Sequence, residues 1–212
     1  MYYLFILLAI FYGYNHIHFF LNKLLIFMGY KITVFDIEKL PSKLIIIGSH
    51  TTIYDFFIGL LFYYVYLHKR YSTYVFMKKS FEIICNPIMM FLDKKFKLIS
   101  VNNDKKKEGL TTKICNTLKN EDNYIIFISP EGTRKCTENI RSGYWYIAKN
   151  LNIDIMYLGI DYSLKTIVME EYRKPFETLD EEKEYFIKYC KKYTPLFPER
   201  CFWTKDYYSQ KI

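Results

Sequence analysis

Two runs in this chain, Leu44-Ile45-Ile46-Ile47-Gly48 and Tyr124-Ile125-Ile126-Phe127-Ile128, are apolar at almost every position. A strand with one face in water alternates apolar and polar residues, whereas a strand without that alternation has both faces covered. The runs are short, rich in β-branched residues and bounded by Pro41-Ser42, Gly48 and Ser129-Pro130. They read as interior strands. Further strands are expected at 32–37, 73–78, 96–101, 153–161 and 164–172. Helical segments are expected at 53–68, at 81–93 with an irregularity at Pro87, at 105–119 with Leu110, Ile114 and Leu118 inward, and at 140–151. A last amphipathic helix, 178–193, is acidic early and lysine-rich late, as the helix dipole favours. The final twenty residues read as irregular. Strands alternating with helices predict one α/β domain over 31–212: a mixed, mostly parallel sheet flanked by helices. In such domains the chemistry sits on loops leaving the strand ends.

The length of 212 residues suits one domain with a substantial core. Hydrophobic residues make up 51% and Gly and Pro are scarce, which excludes collagen-like and disordered classes. Five scattered cysteines without a C-x-x-C pair support neither a disulfide framework nor a zinc site. No metal or cofactor is expected. The formal charge of +8 suggests an anionic partner: nucleic acid, acidic lipid or a phosphorylated substrate. The basic clusters, such as Lys94-Lys95 and Lys105-Lys106-Lys107, come without any nucleic-acid-binding motif. Nucleic acid is therefore not expected as a partner, and each cluster also reads as a solvated face.

The chain opens with thirty residues of a different character. No charged side chain precedes Lys23. As one helix the first twenty-two residues would reach about 33 Å, enough to span a bilayer core. Gly13-Tyr14-Asn15-His16 divides them into two apolar halves, each too short to span. The preferred reading of 1–30 is two membrane-associated helices lying in one leaflet, with a single span as the alternative. With a span, Lys23, Lys31 and later positive charges would keep the body on the cytoplasmic side.

Two loops carry the chemistry. After the first interior strand the chain reads Ser49-His50-Thr51-Thr52-Ile53-Tyr54-Asp55. On one helix, residues five apart lie about 140° round the axis, so His50 and Asp55 would not share a face. They can meet only if His50 precedes the helix and the chain bends at a threonine N-cap. A neutral imidazole, with an ordinary pKa of about 6.5, could then take a proton from a hydroxyl. Thr52 and Asp55 also satisfy a capping box, a purely structural alternative. After the second interior strand comes Ser129-Pro130-Glu131-Gly132-Thr133-Arg134, in which Arg134 and the amides of Gly132 and Thr133 suit a phosphate. Lys135 and Arg141 add positive charge nearby.

His50-x-x-x-x-Asp55, followed 80 residues after the histidine by Pro130-Glu131-Gly132-Thr133-Arg134, resembles the glycerolipid acyltransferases, whose best-known members act on 1-acyl-sn-glycerol-3-phosphate. The resemblance extends over roughly residues 40–175. It implies that His50 deprotonates the acceptor hydroxyl while Asp55 orients the ring, and that Glu131, Gly132, Thr133 and Arg134 hold the glycerol-phosphate portion. It implies an acyl-CoA or acyl carrier protein donor, a lysophosphatidic acid-like acceptor and a membrane location with the catalytic domain cytoplasmic. Two positions depart from the family. Asn102-Asn103 stand where an arginine is usual after the third strand, and Asp154 where a later proline is usual. These departures keep another lysolipid or an amine open as acceptor. A non-catalytic lipid-binding protein of the same fold is a further alternative.

Overall fold

The computed structural model describes residues 23–33, 36–78, 93–101, 109–170, 172–201 and 203. Leu44, Ile45, Ile46 and Ile47 are fully buried, as the unbroken apolar run requires. They form β2 (Lys43–Gly48), and the second run forms β5 (Tyr124–Ile128). The remaining strands are β1 (Lys31–Thr33), β3 (Ser72–Lys78), β4 (Phe96–Val101), β6 (Asp154–Asp161) and β7 (Thr166–Met169). All seven lie in one sheet, in the order β1-β7-β6-β2-β5-β3-β4. β4, β3, β5, β2 and β6 run parallel, and β7 turns back antiparallel to β6 and takes β1 parallel beside it.

Each face of the sheet has its own core, because alternate residues of one strand point opposite ways. On one face Leu44, Ile46, Ile125 and Met156 pack under helix α1 (Ile53–Phe62) and the π-helical turn Tyr63–Leu67 that continues it. On the other, Ile45, Ile47, Ile126 and Ile155 pack under α2 (Leu110–Leu118), α3 (Gly143–Leu151) and α4 (Leu179–Cys190). Burying one such aliphatic side chain is worth about 1.5–3 kcal/mol. An isolated edge could not collect that on both faces.

The expected elements stand with shifted ends. Positions 36 and 37 leave the first strand because the Asp36 carboxylate accepts the Glu38 amide at 3.1 Å and starts the 3-10 turn Ile37–Lys39. The helix expected from 140 begins at Gly143, since the Arg141 amide donates to Pro130 O at 2.9 Å and keeps 140–142 in the loop. The strand expected over 164–172 shrinks to Thr166–Met169. Asp161 captures the Leu164 amide at 2.8 Å, and Lys165 takes φ 48°, making a turn. Helix α4 has Thr178 as its cap, Asp180, Glu181 and Glu182 in its first turn and Lys188 in its last, as expected. Most of the segment read as helix over 81–93, and Asn102-Asn103 with Lys105 to Lys107, lie outside the described residues, as do residues 1–22. No helix among the described residues is long and apolar enough to cross a membrane.

The topology picks out one place. From β2 the chain crosses over α1 to β3, beyond β5; from β5 it crosses under α3 to β6, beyond β2. β2 and β5 are therefore neighbours whose connections depart in opposite directions and over opposite faces. A crevice opens at the carboxyl ends of such a strand pair. The loops with His50 and Glu131 leave those two ends.

Candidate active site

Register brings the two loops together. Ile47 pairs with Ile128, so Gly48 and Ser129 leave the sheet side by side, and Ser129 Oγ donates to Gly48 O at 2.8 Å. Thr52 is the N-cap of α1, with extended backbone angles (φ −146°, ψ 162°) that supply the bend between His50 and the helix. The capping box is present. Asp55 Oδ2 accepts the Thr51 amide at 2.7 Å and the Thr52 amide at 2.9 Å. Its other oxygen, Oδ1, accepts the hydroxyl of Tyr162, which stands at the end of β6. Asp55 takes no hydrogen bond from His50 here; the ring acts on it through charge. Burial raises the Asp55 carboxyl above the ordinary carboxylate range, and it outweighs the Tyr162 hydroxyl, the two amides and the His50 charge, which all lower it.

His50 has one nitrogen in and one out. Nδ1 is buried without a hydrogen-bond partner among the described residues and lies 3.7 Å from Glu131 Oε2, an ion-pair distance once the ring is protonated. Nε2 is thus the nitrogen left for an incoming group. Glu131 is only 6% exposed, and both its oxygens are engaged: Oε1 accepts Ser49 Oγ at 2.7 Å, and Oε2 accepts the His50 amide at 3.1 Å. The expectation that Glu131 helps hold the acceptor meets a different geometry, in which this carboxylate ties the second loop to the first. Arg200, from the segment read as irregular, adds a further tie by donating to Thr51 O at 2.9 Å.

Gly132 has φ +62°, and a Cβ there would meet Arg141 Nε at 2.7 Å. The left-handed turn favours glycine, and any larger residue would also push the Arg141 guanidinium off the turn it covers. Thr133 is half-buried and Arg134 exposed. His50, Asp55, Gly132, Thr133 and Arg134, with Arg141, line one cavity of about 820 Å³. The cavity continues over the sheet edge onto both faces. It is walled by Phe56, Leu60 and Met77 on the α1 side and by Ile114, Tyr144 and Ile147 on the α2–α3 side. A polar head with an apolar body suits an amphiphile.

Of the six residues expected at the site, His50, Asp55, Gly132, Thr133 and Arg134 line this cavity, whereas Glu131 is bonded to Ser49 and the His50 amide and does not line it. The sequence assigns no role at the site to Tyr162, although Gly159-Ile160-Asp161-Tyr162 is itself a stretch that resembles the family, nor to Arg200. They lie 107 and 149 positions from the residues they touch, and no local spacing announces such pairs.

Residues 31–161 match the model of the Acyltransferase family. More than half of the chain is covered, and the chain belongs to that family. The fold is that of the 1-acyl-sn-glycerophosphate (LPA) acyltransferase PlsC from Thermotoga maritima. Its crystal structure superposes with a TM-score of 0.57 at 14% identity, over 84% of this chain and 77% of that one. No curated protein matches this chain in sequence.

Proposed function

We propose that the protein transfers a fatty acyl group from an acyl thioester, of CoA or of an acyl carrier protein, to the free hydroxyl of a lysophosphatidic acid-like acceptor, with no metal or cofactor. The carrying observation is the single crevice in which His50 and the Gly132–Arg134 turn share the polar end of a largely apolar cavity. His50 Nε2 takes the acceptor's hydroxyl proton, and the oxygen attacks the thioester carbonyl. The C–O bond forms, the C–S bond breaks, and the leaving thiolate takes the proton from the imidazolium. Glu131, at ion-pair range of Nδ1, and Asp55, through its field, stabilise that imidazolium. Arg134 and Arg141, with the amide of Thr133, receive the phosphate; the Gly132 amide, expected to join them, instead donates to Ser129 O at 3.0 Å and closes the turn. Backbone amides of these loops stabilise the tetrahedral oxyanion.

A membrane setting fits the surface. β1 starts at Lys31 opposite Thr166, and β6 ends at Asp161, so both lie at the sheet edge where the catalytic loops leave β2 and β5. There the exposed Ile26, Phe27 and Leu164 stand beside Lys165. Apolar side chains flanked by lysine suit an interfacial seat on acidic lipid. This would place the substrate's own surface at the crevice, on the cytoplasmic face.

The test is a panel of lysolipid and amine acceptors with radiolabelled acyl-CoA and acyl carrier protein, run on wild type beside His50→Ala. Transfer to lysophosphatidic acid that disappears with His50 is the expected result. A second acceptor class is favoured by Asn102-Asn103, two neutral side chains where the family usually has an arginine. Transfer confined to another lysolipid or an amine would select it. A wild type that transfers to nothing on the panel would leave lipid binding as the function.

A further inference from the structure

Asp55 is held from two sides by groups far apart in the chain. The Thr51 and Thr52 amides at the start of α1 fix Oδ2, the Thr52 bond being the one any helix with this capping box would make. Oδ1 is different, because its donor, the Tyr162 hydroxyl, comes from the turn between β6 and β7. That turn is itself tightly built. Asp161 accepts Ser163 Oγ at 2.7 Å, the Leu164 amide at 2.8 Å and the Thr194 amide at 3.2 Å. The Tyr162 amide donates to Thr194 O at 2.9 Å, and the tyrosine ring meets Tyr30 edge-on with centroids 6.3 Å apart. A phenol set this firmly against a carboxylate has little freedom to turn away.

We infer that Tyr162 is a positioning residue for the His50–Asp55 couple, its hydroxyl fixing the Asp55 carboxylate in place beside the imidazole. The inference rests on the acyl-transfer reading for its catalytic consequence, but not for its electrostatics. The groups bearing on Asp55 are the Thr51 and Thr52 amides from its own helix start, His50 from the β2 loop, Tyr162 from the β6–β7 turn, Tyr30 from the segment before β1, and Cys201 near the end of the described chain. Burial drives Asp55 toward its neutral form, and a neutral Asp55 would lend His50 no charge. The Tyr162 hydroxyl opposes that drift, since a donated hydrogen bond favours the ionised carboxylate. Its own proton is secured in return: burial first, and then the Asp55 charge, push the phenol pKa upward.

The experiment follows the Asp55 carboxyl carbon by NMR across pH in wild type and in Tyr162→Phe, which keeps the ring and its contact with Tyr30. The titration midpoint is expected to rise by roughly one pH unit, the scale of one charge-assisted hydrogen bond. With 3,5-difluorotyrosine at 162, a stronger donor of nearly the same shape, the midpoint is expected to fall. This second variant decides the matter should Tyr162→Phe fold poorly. An unchanged midpoint in the folded variants overturns the inference. In the acyl-transfer assay Tyr162→Phe is expected to lower kcat about tenfold with KM unchanged, and to move the acid limb of the pH profile upward. A shifted midpoint in a protein whose wild type transfers nothing supports the positioning of Asp55 and refutes the acyl-transfer reading. Ordinary transfer with an unchanged midpoint and pH profile refutes the role of Tyr162 alone.

Discussion

Two buried carboxylates, Asp55 and Glu182, are built alike and set to opposite uses. Each accepts a tyrosine hydroxyl, from Tyr162 and Tyr157 respectively, and each accepts backbone N–H, two amides at Asp55 and the Phe176 amide at Glu182. Glu182 is fully enclosed, and Arg173 answers its charge, with NH2 3.2 Å from Oε1. The Arg173 guanidinium is in turn stacked 3.8 Å over the ring of Phe176. That cluster ties α4 to β6 and leaves no side open. Asp55 has in place of arginine a histidine, whose charge exists only while it holds a proton, and it lines the open cavity. A permanent cation makes a fixed joint; a titratable one makes a group that can respond to a proton moving beside it.

That contrast can be broken at its sharpest point by His50→Ala. Transfer is expected to fall about a thousandfold with the thermal midpoint little changed, because the side chain proposed as general base is half-exposed and bears little packing. Single-turnover rates beside a melting curve check both halves. Glu182→Gln should do the reverse. Leaving Arg173 without its partner is expected to cost about 3 kcal/mol of stability, while kcat of the folded fraction stays within about twofold. Urea unfolding followed by fluorescence would read it, and a loss of activity without a loss of stability would dissolve the comparison.

Asp55→Asn separates the two roles of that residue. An asparagine still accepts at the capping position, so the fold should persist, whereas transfer is expected to drop about a hundredfold. The pH dependence of stability gives a second readout. Asp55 has its folded pKa raised, so its contribution to stability is present below the ordinary carboxylate range and lost as pH rises through the folded value. The stability of Asp55→Asn relative to wild type is therefore expected to improve from pH 4 to pH 7. A difference that stays flat would mean that burial does not govern this group. The smallest effect is expected from Arg141→Ala, a rise of about tenfold in the acceptor KM with kcat nearly kept, provided the acceptor carries a phosphate. A neutral-headgroup acceptor should be indifferent to it.

Much of the fold is legible in the chain because its signals are local. Leu44–Ile47 and Ile125–Phe127 announce interior strands by having no polar alternation, and Thr52 and Thr178 announce helix starts by their caps. Where side chains bond their own backbone, the reading slips: Asp36 and Asp161 convert strand ends into turns, and Pro130 O holds the Arg141 amide out of α3. Periodicity does not register such bonds.

The site divides the same way. The amino-acid sequence by itself determined which groups are available, a histidine before a capped helix and a Glu-Gly-Thr-Arg turn after a buried strand, because spacing along one loop is a local property. Only the tertiary structure decided who touches whom. β2 lies beside β5, and that adjacency puts the Glu131 carboxylate on the Ser49 hydroxyl and the His50 amide. The β6–β7 turn delivers Tyr162 to Asp55 across 107 positions. The reason is physical: strand order is fixed by how helices cover both faces of the whole sheet, and no stretch of a dozen residues carries that information.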